Sequence, residues 1–177
     1  MPTYTELAMR TLKPLGSESL DFAHAALGLV DEAYELALST SEENALEEIG
    51  DLCWFLALAG KSLGVAPFDA ERGMHYDQRA SGTIGTMVEW LGEHAALIAG
   101  DAKKWLVYGK RPGESIEHRM ARMVDLIRSI GEQHGWTLEE IQEANIRKLA
   151  ARFPDGYTDL AAKERNKAAE MKALRRG

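Results

Sequence analysis

"EAYEL" (Glu32–Leu36) and "LEEIGDLCWF" (Leu46–Phe55) set carboxylates three residues apart among Ala, Leu, Ile and Trp. On an α-helix, residues three apart project about 60° from each other on neighbouring turns. Glu32 and Glu35 therefore share one face, and Glu48 and Asp51 share another. The break between the two stretches, "STSEE", is short enough to fold them into an antiparallel hairpin, and Ser39 and Glu42 have the spacing of a capping box for the second helix. In that hairpin Glu35 and Glu48 lie at similar heights, with Glu32 and Asp51 one turn deeper. Four carboxylates converge.

Working outward, the pattern is helical throughout. No stretch alternates cleanly between apolar and polar residues, and no Asn-Gly or Asp-Gly turn joins β-branched runs. Helices are expected over Leu20–Leu38 and Asn44–Leu63, the latter stopping at Gly64. "VAPFDAERGMHYDQRASGTIG" reads as a connection with at most one short helix. A long helix over Thr83–Tyr108 carries Ile84, Met87, Val88, Leu91, Ile98 and Leu106 as its apolar stripe, and "GKRPGES" ends it. Met120, Met123, Val124, Ile127 and Ile130 mark the next helix, which runs to Gly135. "TLEE" (Thr137–Glu140) is a capping box that opens a further helix, bounded by Pro154.

The expected fold is an all-α bundle of two antiparallel helical hairpins, forming a single domain over residues 1–160. Residues 161–177 form a polar tail that is a surface helix, a partner-binding arm or a frayed end. One internal echo stands out: "HAALGLVDEAYEL" from His24 and "HAALIAGDAKKWL" from His94. The match is either coincidence or a degenerate duplication in which the second copy lost its acids.

Composition narrows the function classes. The 177-residue chain is 45% hydrophobic and 28% charged, the mix of a soluble globular protein. A net charge of -7 and a pI near 5.3 argue against general nucleic-acid binding. The longest apolar run, "LCWFLALAG", has about half the length a membrane span needs. The N-terminus lacks a secretory pattern, and the single cysteine, Cys53, cannot close an internal disulfide. A cytoplasmic protein is expected, with Cys53 as core filler.

Carboxylates crowded in an apolar setting raise one another's pKa, and a divalent cation relieves that repulsion. All-oxygen ligation selects a hard ion, Mg²⁺ or Mn²⁺. Glu32, Glu35, Glu48 and Asp51 are the expected ligands, whereas Glu42, Glu43 and Glu47 read as a solvent-facing stripe. A diiron bundle would need Glu-x-x-His pairs, which are absent, and His24, His75, His94, His118 and His134 show no ligand spacing. An HD-type phosphohydrolase would need a His-Asp dyad, and no such dipeptide occurs.

The succession Glu-x-x-Glu, break, Glu-x-x-Asp resembles the metal motif of the MazG-like all-α nucleotide pyrophosphohydrolases, relatives of the dimeric dUTPases. "LEEIGDLCWF" is similar to that family's E-x-G-D-x-x-W-[FY] helix, and "ANIRKLAARFPDGY" (Ala144–Tyr157) resembles its N-x-x-K-L-x-x-R-[FY]-P-x-G-[FY] ending. "KKWLVYGKRP" (Lys103–Pro112) resembles its K-K-x-x-x-Y-G-K segment, although here that segment follows both acidic helices instead of lying between them.

The resemblance implies hydrolysis of a nucleoside triphosphate to the monophosphate and diphosphate, with two or more Mg²⁺ or Mn²⁺ ions per site. A carboxylate not fully used in ligation, Glu35 first and Glu47 second, is expected to accept the proton of the attacking water. Asn145, Lys148 and Arg152 recur at steps of three and four on one helical face, and they bind phosphate or sugar oxygens in this reading unless that face is merely solvated. Lys103, Lys104, Tyr108 and Lys110 are carried over as substrate contacts, in their own chain or a neighbour's. Trp54 and His24 are candidates for holding the base, with purine substrates such as dGTP or GTP favoured. A homo-oligomer, dimer or tetramer, is expected. The alternative is a non-catalytic helical module that binds a nucleotide or a protein.

Overall fold

A computed structural model describes residues 1–68 and 82–175. The short helix considered for the connection, and His75, lie outside the described residues. The fold is all-α, with eight helices and no strands among those residues. No described helix is long and apolar enough to cross a membrane.

Local sequence explains where each helix starts and stops. Helix α1 (Tyr4–Ala8) opens on a capping box between Thr3 and Glu6, and it runs into one 3-10 turn, Met9–Thr11. Ser17 caps α2 (Glu18–Leu38), whose first turn carries Glu18 and Asp21, the charge sign that a helix N-terminus favours. Helix α3 (Glu42–Leu63) ends at Gly64, where φ is +71°, a left-handed conformation that glycine adopts without steric cost. Thr83 caps α4 (Ile84–Tyr108), and α5 spans Ser115–Gln133. The expected box at Thr137 and Glu140 opens α6 (Leu138–Arg152). The short helices α7 (Asp159–Lys163) and α8 (Lys167–Leu174) follow.

One cap differs from expectation. Ser39 ends α2 in an extended conformation, and the cap of α3 is Ser41, whose side chain accepts a hydrogen bond from the Asn44 N–H. The reason is register: a helix that begins at Glu42 needs its cap one residue earlier, so Ser39 is two positions too far away. Leu106 departs as well. It is exposed, while Ala102 occupies the buried side of that end of α4.

Helix α2 lies at the centre, packed most extensively against α3 and α4. Helix α4 packs on α5, α6 packs on α3 and α8, and α1 wedges between α3 and α6. Leu29, Ile49, Leu52, Leu56, Met87, Leu91, Ile98, Met120 and Met123 are fully buried in one cluster, joined by Val124, Ile127 and Ile130. Each such side chain contributes roughly 1.5–3 kcal/mol when removed from water. Cys53 is buried in the same cluster.

The tail is not polar all round in its setting. Leu174 and Glu170 of α8 are buried, and Arg147 of α6 donates to the Ala173 carbonyl at 3.1 Å. This packing carries the chain's last helices alongside α6, next to the face that bears Lys148 and Arg152.

Candidate metal and anion site

Helices α2 and α3 bring Glu32, Glu48 and Asp51 together, with one carboxylate oxygen of each within 4.8 Å of the others. Apolar neighbours set this geometry. Leu29, Leu36, Ile49 and Leu52 are buried on either side, so the acids between them are held at the seam. Glu48 is buried and the other two are half-buried.

Burial raises the Glu32 pKa to about 9, helped by the charge of Asp51 and by a hydrogen bond with Glu48. Glu48 is raised to about 7, first by burial, while its hydrogen bond with Glu32 works in the opposite direction. At neutral pH and without a cation the two therefore share a proton. Such a pair fits a divalent cation well, because three hard oxygens are already gathered and the cation takes the proton's place.

Glu35 is not among the three. It is exposed, although its charge still reaches Glu32 and Glu48 and raises both. Its offset from Glu32 around the helix turns it out of the seam. Glu47 also differs from its reading as part of a solvent-facing stripe. Only 15% of its side chain is exposed, and it accepts a hydrogen bond from Lys148 Nζ at 3.1 Å. Glu42 and Glu43 are exposed as expected.

Helix α6 holds the acids from the other side. Asn145 and Lys148 are 1% and 2% exposed, so their face is not a solvated one. Asn145 Nδ2 donates to Asp51 Oδ1 at 2.9 Å, and Tyr4 Oη donates to Asn145 Oδ1 at 2.9 Å. Lys148 Nζ donates to Asp51 Oδ2 as well as to Glu47. Burial raises the Asp51 pKa, while Lys148 and Asn145 pull it back. For Lys148 the order is reversed: burial lowers its pKa, but Asp51 and Glu47 more than compensate, and the net direction is up.

Gly50 explains how α6 comes so near. A Cβ at Gly50 would lie 3.0 Å from Asn145 Cβ and 3.1 Å from its Nδ2, so the missing side chain lets Asn145 reach Asp51.

Beside the acids is a cavity of about 440 Å³, within the range of small-molecule sites. Of the candidate residues, Glu32, Asp51, His24, Trp54, Lys148 and Arg152 line it, while Glu35, Glu48 and Asn145 do not. Trp54 is largely core: it is 9% exposed, and its Nε1 donates to the Ala8 carbonyl at 3.1 Å and to Thr11 Oγ1 at 3.0 Å. His24 meets the rings of Trp54 and Phe55 edge-on at 5.9 and 5.6 Å. Burial lowers the His24 pKa, and its buried Nδ1 has no hydrogen-bond partner. The imidazole is therefore a neutral group next to the cavity at pH 7.

Lys103, Lys104, Tyr108 and Lys110 do not line this cavity. They are exposed at the end of α4, where Lys104 pairs with Asp101 at 3.0 Å. Other cations take that place. Lys13 comes from the segment before α2 and Arg165 from the link between α7 and α8, and Tyr157, whose ring centroid lies 5.7 Å from Lys13 Nζ, is also in the lining. Nothing in the sequence marked Lys13 or Arg165, since Lys13 stands alone between Leu12 and Pro14, Arg165 stands in the charged run "KERNK", and neither belongs to a motif. Tyr157 closed the "RFPDGY" stretch and was the one signal available.

No protein-family model, no curated protein and no solved structure matches the chain.

Proposed function

We propose that this protein is a metal-dependent nucleoside triphosphate pyrophosphohydrolase that converts a (d)NTP and water into (d)NMP and diphosphate. One observation carries the reading: of three carboxylates gathered within 4.8 Å, two, Glu32 and Asp51, line a cavity that is also lined by Lys13, Lys148, Arg152 and Arg165. Acids that suit a hard cation and bases that suit phosphate, side by side, are what a metal–polyphosphate substrate needs. The MazG-like resemblance of the same residues supports the reading.

Glu32, Glu48 and Asp51 would hold Mg²⁺ or Mn²⁺, which when bound neutralises phosphate charge and acidifies a water. The chain's own groups do the rest. Asn145 and Lys148 fix the Asp51 carboxylate through both of its oxygens. Arg152 meets phosphate oxygens at the cavity wall. Glu35 would be the base in this proposal, acting from the outer edge of the cluster where its charge reaches Glu32 and Glu48, because Glu47 is occupied by Lys148 and has Arg165 at 3.7 Å, whereas Glu35 has no such partner among the described residues. His24 and Phe55 offer apolar edges to a base, which suits the expected purine.

The two-hairpin duplication belongs to the same proposal. Ala102 and Trp105 of α4 stand where Glu32 and Glu35 stand in the echo. Both His24 and His94 have a buried Nδ1 without a partner, a shared environment that supports common descent. A homo-oligomer is supported by Leu27, Val30, Tyr34 and Leu38, which recur along α2 at three- and four-residue steps and remain exposed.

The purified protein, assayed with common NTPs and dNTPs in Mg²⁺ and in Mn²⁺, should release pyrophosphate and monophosphate from at least one. Release of nothing would favour a non-catalytic helical binding module, and release of orthophosphate alone would mean cleavage at a terminal phosphate instead of between the α- and β-phosphates. Gly50→Ala tests the support of Asp51. Helix α3 should persist, since Ala is the better helix former. Turnover should fall roughly 10–100-fold as Asn145 yields a few tenths of an ångström. Wild-type turnover in this variant would show that Asn145 does not position Asp51.

A further inference from the structure

The four cations of the cavity are not equally satisfied. Lys148 is neutralised by Asp51 and Glu47. Lys13, at the rim, pairs with Asp159 at 2.6 Å. Arg165 is held as a fork: its Nε and Nη2 donate to the two carboxylate oxygens of Glu170 at 3.4 and 2.6 Å, and Glu170 is 1% exposed. Its Nη1 makes no hydrogen bond among the described residues. Arg152 has no carboxylate at ion-pair distance among the described residues. Its Nη2 donates to the Ala162 carbonyl at 3.1 Å, and its Nε is buried without a partner. Burial and the nearby charge of Arg165 both press the Arg152 guanidinium toward its neutral form.

Two guanidinium groups thus stand close enough to repel each other in one cavity, each with an unused donor. A buried carboxylate fixes the orientation of one of them. Keeping an unsatisfied donor on a charged group away from water costs stability unless an anion completes it. Two guanidinium groups that each keep a free N–H match oxygens spread over two phosphate groups better than those of a single phosphate, because each group can donate to a different one.

We propose that Arg165, delivered by the C-terminal arm, forms with Arg152 a clamp for a diphosphate group, and that Lys13 guards its outer edge. The arm of residues 157–170 is then part of the substrate site, with buried Glu170 as the positioning residue that aims Arg165. This rests on the reading of the cavity as a polyphosphate site. It adds a ligand, Arg165, that lies outside every motif of the sequence.

The test is calorimetric binding, with no turnover required. The full chain in Mg²⁺ is titrated with inorganic pyrophosphate, with orthophosphate, and with a triphosphate whose α–β bridge cannot be cleaved. Pyrophosphate should bind at least tenfold tighter than orthophosphate. Arg152→Met should weaken pyrophosphate roughly 10–100-fold, the range of a lost charged hydrogen-bond set. Its melting temperature should stay level or rise, since the variant removes an unsatisfied buried donor.

Arg165→Met alone strands buried Glu170, so the paired variant Arg165→Met with Glu170→Met is used, a replacement that buried ion pairs commonly tolerate. It should fold, and it should lose pyrophosphate affinity to a similar extent. Comparable losses for the uncleavable triphosphate place the nucleotide's own phosphates in the clamp, and losses for pyrophosphate alone make the clamp a product site. Wild-type pyrophosphate affinity in both variants, or no binding to the wild type at millimolar pyrophosphate, overturns the clamp. Failure of the hydrolase reading is seen separately, as absent pyrophosphate release from nucleotides by a chain that still binds pyrophosphate.

Discussion

Glu32→Gln is expected to lower pyrophosphate release on the order of 10³-fold while making the metal-free protein more stable at pH 8. The first effect follows from losing one of three gathered carboxylates, which removes several kcal/mol of charge stabilisation. The second follows from linkage. The Glu32 pKa is about 9 when folded against 4.5 for the free side chain, so between those values the folded chain holds more protons than the unfolded one. Stability is then fully present below about 4.5 and is lost as pH rises through the folded value. Gln copies the protonated form and does not titrate, so the variant's advantage grows from about pH 5 toward pH 9. Mg²⁺ should raise the wild-type melting temperature more at pH 8 than at pH 6, because the cation displaces the shared proton, and it should raise that of the variant far less. At 100 times the Kd, binding adds about 2.7 kcal/mol. Parallel melting curves with and without Mg²⁺, run beside a turnover assay, check all of this. A variant that loses stability at pH 8 and keeps turnover would mean that the acids serve the fold and not a cation.

The paired acids were legible because two rules act together on short stretches. Helical spacing put Glu32, Glu48 and Asp51 on inward faces, and the three-residue link between α2 and α3 set those faces opposite each other. Glu35 obeys the same spacing but lies outside the cluster, since a 60° offset on one helix is enough to move a side chain from seam to solvent. Asn145 and Lys148 were legible as a face, but not as a buried one. Their burial depends on Gly50 and on α1, and both are long-range facts: Tyr4 bonds Asn145 across 141 positions of sequence. Lys13 and Arg165 were not legible at all. They come from opposite ends of the chain and meet the site only because α8 docks on α6 and the segment after α1 passes the mouth of the cavity. Glu47 misled for the same reason, since its acidic surroundings in sequence gave no hint of the two cations that face it in space.

Lys148→Met should be the most destabilising single change at the site, by about 3 kcal/mol, the lower end for breaking a buried ion pair because Asp51 keeps 22% of its side chain exposed. For a chain of this size that is a fall of roughly 6–12 °C in melting temperature. The cause is not lost packing, since Met fills most of the space left by the lysine stem. It is the pair of carboxylates, Asp51 and Glu47, that would lose their shared donor at once. The sign with pH follows from the direction of each shift. The Lys148 pKa is raised above its ordinary 10.5, so its contribution is intact below that value and is lost only in strong alkali. The penalty at neutral pH therefore comes from the acids, and it should shrink as pH falls and Asp51, already raised by burial, takes up a proton. Mg²⁺ should restore part of the stability by placing positive charge at Asp51 from the other side. This separates Lys148 from Glu32: one variant destabilises and is rescued by the cation, while the other stabilises and no longer responds to it. A Lys148→Met protein within 1 kcal/mol of wild type at pH 7.5, with or without Mg²⁺, would mean that Asp51 finds its compensation elsewhere, and the proposed coupling between α6 and the acids would fall.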